Sequence, residues 1–123
     1  MPKLLIVDDE LDVREFAANF FRKRKFDVIT ASSGQEALDL FEKQKTNLIL
    51  LDIKMQGEDG IEVLRKIRER DKAIPVIMVT GKEPDEDEAF KRCKELGVME
   101  YIHKPLELDE LERLVTSVFD FDK

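Results

Sequence analysis

Three runs of apolar residues, Leu4 to Val7, Leu48 to Leu51 and Val76 to Val79, lack the alternation of a strand wetted on one face. Runs of this length suit strands buried on both faces. Phe26 to Ala31 and Val98 to Ile102 carry β-branched and aromatic residues but are partly polar, which places them nearer the edges or ends of a sheet. The segments between have helical periodicity. Leu11 to Arg24 sets Val13, Phe16, Ala17, Phe20 and Phe21 on one broad face. Ser33 followed by Glu36 has the spacing of a capping box, and Ala37, Leu38, Leu40 and Phe41 carry an apolar face on to about Lys45. Asp59-Gly60 opens a third helix, in which Ile61, Leu64 and Ile67 recur while Arg65, Lys66, Arg68 and Arg70 gather toward the C-terminal, negative end of the dipole. The fourth begins after Pro84, with Asp85, Glu86, Asp87 and Glu88 in its first turn and Gly97 placed to end it. Leu108, Leu111, Leu114, Val115 and Val118 define the fifth.

Strand and helix thus alternate five times, which implies parallel strands, right-handed crossovers and helices on both faces: a three-layer α/β/α sandwich. A chain of 123 residues matches one domain, 1–123, with no evident linker or repeat and a tail from Asp120 to Lys123 expected to fray. Charge narrows the partners. Asp and Glu number 28 against 21 Lys and Arg, a net charge of -7, which disfavours direct binding to nucleic acid or an anionic membrane and leaves a protein surface as the expected partner. Arg22-Lys23-Arg24-Lys25 is an unbroken basic run, and its place at the end of the first helix reads as a solvated, dipole-favoured terminus. The single cysteine, Cys93, excludes an internal disulfide and is expected in the core. No apolar run approaches the roughly 20 residues of a membrane span. Met1-Pro2-Lys3-Leu4 is too short an apolar start for a secretory signal, so a cytoplasmic protein is expected.

In open parallel sheets, ligands sit beyond the carboxyl ends of the strands. Those ends carry Asp8-Asp9-Glu10, Asp52, Thr80 and Lys104-Pro105. Carboxylates 4 Å apart repel by roughly 4 kcal/mol per pair at an effective dielectric near 20, so three together call for a cation or a raised pKa. Oxygen ligands without histidine or cysteine favour a hard divalent ion, and a small site that keeps several waters favours Mg2+. A carboxylate beside Mg2+, with a hydroxyl and an ammonium close by, suits phosphoryl transfer to the carboxylate.

Taken in order, Asp8-Asp9, Asp52, Thr80 and Tyr101-Ile102-His103-Lys104-Pro105 resemble the response-regulator receiver domains of two-component signalling, across essentially the whole chain. The resemblance implies a flavodoxin-like sheet of order 2-1-3-4-5. It implies Asp52 as the phosphoacceptor, Asp9 as a direct ligand of Mg2+, Asp8 acting through water, and the Lys54 carbonyl completing the shell. Glu10 is a neighbour of that set. It implies further that Lys104 binds the phosphoryl group, that the Lys104-Pro105 bond is cis, and that Thr80 swings toward the phosphoryl oxygen while Tyr101 turns inward. The surface of the fourth helix, fifth strand and fifth helix then changes for a downstream protein target. The expected donor is a histidine kinase or histidine phosphotransfer protein, and the product is a monomer or a phosphorylation-dependent dimer.

Gln56 departs from the proline that many receivers carry after the acceptor. Lys54 and Lys82, two residues beyond Asp52 and Thr80, are expected to shield the acyl phosphate from water. Two rival functions remain open: a magnesium-dependent phosphatase with an aspartyl nucleophile, and a docking module of the same fold that needs no phosphorylation. The first places its nucleophile after the first strand and adds a cap, and no cap insertion is evident in this sequence; the second has no need of three clustered carboxylates. A signalling receiver, not an enzyme acting on external substrates, is the expectation.

Overall fold

The computed structural model describes residues 2–81 and 86–119. Its elements run β1 (Lys3–Val7), α1 (Leu11–Lys23), β2 (Asp27–Ala31), α2 (Gly34–Lys43), β3 (Leu48–Asp52), β4 (Lys54–Met55), β5 (Glu58–Asp59), α3 (Gly60–Arg70), β6 (Val76–Thr80), α4 (Glu86–Glu95), β7 (Glu100–His103) and α5 (Leu108–Phe119). The expected start of α4 after Pro84, the acidic residues up to Asp85, Lys82 and the tail from Asp120 lie outside the described residues.

Five strands form one parallel sheet in the order β2-β1-β3-β6-β7, which is the expected order with β6 and β7 as fourth and fifth long strands. Successive side chains leave a strand on opposite faces, so a strand covered on both sides must be apolar throughout. β3 and β6 show this, being buried along their whole length. Leu5, Val7, Ile49, Leu51 and Met78 pack with Ala37, Leu64, Ile67 and Cys93 on one face. Leu4, Ile6, Leu50, Ile77 and Val79 pack with Ala17, Phe21, Leu111 and Val115 on the other. The partly polar strands β2 and β7 are the two edges.

Local chemistry ends the helices. The Ser33 hydroxyl accepts the Glu36 N–H at 3.2 Å, while the Glu36 carboxylate reaches past the cap to accept the N–H of Ser32 at 2.7 Å. The capping box is therefore displaced by one residue in its return arm. Arg68 closes the opposite end of the layer: its guanidinium donates to the carbonyls of Leu96, Gly97, Ile74 and Asp71, joining the C-terminal ends of α3 and α4. The basic cluster after α1 is also structural, with Arg24 lying 3.7 Å from the centroid of Phe20 and paired with Glu112 of α5 at 2.7 Å.

One difference from the hydrophobic pattern matters for function. β4 and β5 form a two-residue antiparallel hairpin, Lys54 opposite Asp59 and Met55 opposite Glu58, inside what reads as a plain loop. It is too short to leave a period, and three of its four strand residues are polar.

α1 ends with the Phe26 N–H donating to the Phe21 carbonyl and the Lys25 N–H to that of Arg22, and the Phe21 and Phe26 rings meet at 5.5 Å. This is a Schellman motif, which puts its penultimate residue in the left-handed region; here that residue is Lys25, with φ of 72°. A side chain there costs about 1–2 kcal/mol. Lys25→Gly is expected to raise the unfolding free energy by about 0.5–1 kcal/mol in denaturant titration, after the greater entropy of unfolded glycine is subtracted. An unchanged or lower value would contradict that reading of the turn.

Candidate functional site

β1 and β3 are neighbours in register, so the residues that follow their buried runs emerge side by side at one edge. Asp8 is buried, and its Oδ1 accepts the N–H of Glu10 at 2.9 Å, a local turn that fixes the carboxylate before α1 begins. Arg14 of α1 donates to the Asp8 carbonyl at 2.8 Å. Asp52, the last residue of β3, is only 2 % exposed. Its backbone is hemmed in by Gly60: the Gly60 N–H donates to the Ile53 carbonyl at 2.6 Å, and a Cβ at position 60 would overlap the Asp52 carbonyl oxygen. Glycine is required there by close approach.

Lys104 enters from the neighbouring end of the sheet. Its N–H donates to the Thr80 carbonyl at 2.7 Å, continuing the β6–β7 ladder, and its peptide bond to Pro105 is cis. The ammonium lies 3.2 Å from Asp8 Oδ2, 3.2 Å from Glu10 Oε1 and 3.3 Å from Asp52 Oδ2. Among the described residues, Asp8, Asp9 and Asp52 each place a carboxylate oxygen within 4.8 Å of the others. One lysine thus faces three carboxylates, and a fourth, Asp9, stands beside them.

The electrostatics follow. Burial and then the charge of Asp8 push the Asp52 carboxyl up to about 6, against the opposing pull of Lys104. Burial works against the Lys104 ammonium, but Asp52 and Asp8, with the hydrogen bonds to Glu10 and Asp8, outweigh it and hold its pKa above the ordinary lysine range. The lysine compensates part of the acid cluster. The donor set that remains, all carboxylate oxygens with a backbone carbonyl close in sequence, fits a hard divalent cation such as Mg2+.

Asp8, Asp9, Asp52 and Lys104 are brought together as the sequence leads one to expect. Thr80 is buried beside Asp52's strand, but its hydroxyl donates to the Gly81 carbonyl at 2.8 Å, not to the acid cluster. Tyr101 is half-buried on β7, its ring edge-on to Phe90 at 5.1 Å and 5.7 Å from the His103 ring. Lys54 sits in β4 with its side chain exposed. Two participants escape the sequence reading. Glu10 joins the ion-pair set through Lys104, and the Gln56 N–H donates to Asp9 Oδ2 at 2.6 Å. Only the adjacency of Glu10 to the Asp pair hinted at the first; for the second the sequence offers only that residue 56 is not a proline and so keeps an N–H.

Residues 4–116 match the family model described as the response regulator receiver domain. Sporulation initiation phosphotransferase F of Bacillus subtilis (strain 168) is 36 % identical over 113 residues, covering 92 % of this chain and 90 % of that protein. A response regulator receiver protein from Pseudomonas putida superposes with a TM-score of 0.87 at 31 % identity, over 94 % of this chain and 96 % of that one. The response regulator TrrA of Thermotoga maritima, solved with Mg2+ and BeF, gives a TM-score of 0.82 at 30 % identity, over 96 % and 99 %. The chain belongs to the response regulator receiver domain family, whose members are signalling modules. No described helix is long and apolar enough to cross a membrane.

The raised pKa of Asp52 carries a stability consequence. Because its folded pKa lies above the ordinary aspartate value of 3.8, its contribution to stability is fully present below that pH and is lost as pH rises through about 6. In metal-free buffer, Asp52→Asn is expected to raise the melting temperature by a few degrees at pH 7.5, and the gain should shrink as pH falls to 4. A gain that is the same at both pH values would show that ionisation is not the source.

Proposed function

We propose that the chain is a phosphorylation-dependent switch in which Asp52 accepts a phosphoryl group from the phosphohistidine of a histidine kinase or histidine phosphotransfer protein. The observation that carries this reading is the buried Asp52 carboxylate held 3.3 Å from the Lys104 ammonium among a cluster of acids. An Asp52 oxygen attacks phosphorus; the O–P bond forms as the donor's N–P bond breaks, and the imidazole nitrogen leaves with the bonding pair. Lys104 neutralises oxygens of the transferring group and loses its contact with Asp52 to do so. Mg2+, held by Asp9, Asp52, the Lys54 carbonyl and, through water, Asp8, would supply further positive charge to those oxygens. Lys54, two residues beyond the acceptor, would shield the acyl phosphate from water.

The surface beside the site favours a protein donor. A groove of ≈ 690 Å³ runs from Glu10 and Lys104 between Val13 and Phe16 of α1 and Pro105 and Leu106. Phe16 at its wall is 61 % exposed and Leu11 60 %, an unusual apolar display next to a charged centre. A small phosphate ester has no use for it.

Once Asp52 is phosphorylated, an anionic acceptor lies at the end of β3, and the Thr80 hydroxyl exchanges its bond to Gly81 for a charge-assisted one. Tyr101 moves inward as Thr80 leaves, and the Phe90 contact transmits the change to the face of α4, β7 and α5. The effect is a population shift between two surfaces, read by a downstream protein. The monomer is the unphosphorylated state, and pairing through that face is one outcome of the shift.

Incubation with Mg2+ and a small acyl-phosphate donor, followed by intact-mass measurement, is expected to add one phosphoryl group to the parent and none to Asp52→Asn. An unlabelled parent would leave only the docking module; equal labelling of both would move the acceptor elsewhere. Steady turnover of external phosphoesters would instead favour the phosphatase.

A further inference from the structure

The β4–β5 hairpin follows the acceptor strand directly and carries Lys54, so its placement bears on the cation site. Two long-range hydrogen bonds hold it. On the inner side the Gln56 N–H donates to Asp9 Oδ2 at 2.6 Å, an anchor that a proline at 56 would lack the N–H to make. On the outer side Glu58 of β5 accepts the N–H of Gly34 through Oε1 at 2.7 Å.

Gly34 is the first residue of α2, whose initial N–H groups have no partners within the helix. The Ser33 hydroxyl takes one of them, that of Glu36, and Glu58 takes another from across the fold. The carboxylate also meets the positive end of the α2 dipole, where a negative charge is favoured. The fit is close: a Cβ at position 34 would overlap Glu58 Oε2 and come within 2.5 Å of Val63 Cγ2. Glycine at 34 leaves the space that the Glu58 carboxylate fills.

Glu58 therefore ties the hairpin to a helix fixed in the core through Ala37 and Leu38. Met55, paired with Glu58 across the hairpin, is itself buried in the same core cluster. Between these two supports lies the turn that gives its N–H to Asp9.

We propose that Glu58 is a positioning residue for the divalent cation. It touches neither the cation nor the phosphoryl group; it holds the hairpin so that the Lys54 carbonyl and the oriented Asp9 carboxylate are in place before the cation arrives. Ordering these groups in advance lowers the entropy lost on binding, and outer groups that orient ligands commonly change metal affinity by about 10–100-fold when removed. The proposal rests on the Mg2+ reading given above.

The test is calorimetric titration of Mg2+ into the parent, Glu58→Ala and Glu58→Gln, each checked for native circular dichroism, with amide exchange of Gly34 followed in parallel. Glu58→Ala is expected to weaken Mg2+ by about tenfold and to speed exchange at Gly34. Glu58→Gln, which keeps an oxygen acceptor at the same reach, should stay within about twofold of the parent. Phosphoryl labelling of Glu58→Ala should return to the parental rate when Mg2+ saturates, because the chemistry at Asp52 is untouched. A parental Mg2+ affinity in Glu58→Ala would overturn the proposal. Equal weakening in both variants would overturn it too, by showing that Glu58 acts through its charge alone. If the parent itself took up no Mg2+, the metal reading would fall and this proposal with it.

Discussion

Like charges forced together at the end of a hydrophobic sheet are the constraint on which the rest of this structure turns. Asp8 and Asp52 are buried, Asp9 stands beside them, and Lys104 supplies the ammonium that compensates them in part. Full ionisation at neutral pH works against the fold, as the raised pKa of Asp52 records. Such a site is poised to gain from added positive charge.

The architecture makes this arrangement unavoidable. Parallel strands covered on both faces cannot hold polar residues along their length, so β1, β3 and β6 keep theirs for the ends, and the register brings those ends to one edge. Gly60 lets the chain double back against Asp52, and the ladder bond from Lys104 to Thr80 sets the lysine over the same edge. Thr80 is thus linked to the centre by backbone while its hydroxyl faces away from the acids. On the proposed reading, a hydroxyl that left Gly81 for the phosphoryl group would be the two-state element coupled to Tyr101 and Phe90.

The fold was legible where burial is two-sided. Unbroken apolar runs announced β1, β3 and β6, and the mixed composition of β2 and β7 placed them at the edges, because side-chain burial follows directly from layer order. The gathering of Asp8, Asp9, Asp52 and Lys104 could be read for the same reason: once strand ends are known, their first polar residues share a place. What could not be read depends on backbone groups or on pairs distant in sequence. The Gln56 N–H has no side-chain signature, Glu58 and Gly34 meet across 24 residues, and the Arg68 bonds end on carbonyls. Lys25 in the left-handed turn broke the usual preference for glycine, so the stop of α1 was marked by its basic cluster and not by a glycine.

The central claim is that this crowded acid cluster is a cation site built on an acceptor carboxylate. The melting temperature measured against Mg2+ concentration at constant ionic strength tests it most directly. The account predicts a rise in parallel with log Mg2+ for the parent, worth about 2.7 kcal/mol at one hundred times the dissociation constant, and a much flatter curve for Asp52→Asn. A parent curve that does not respond to Mg2+, or that rises no more than that of Asp52→Asn, would contradict it.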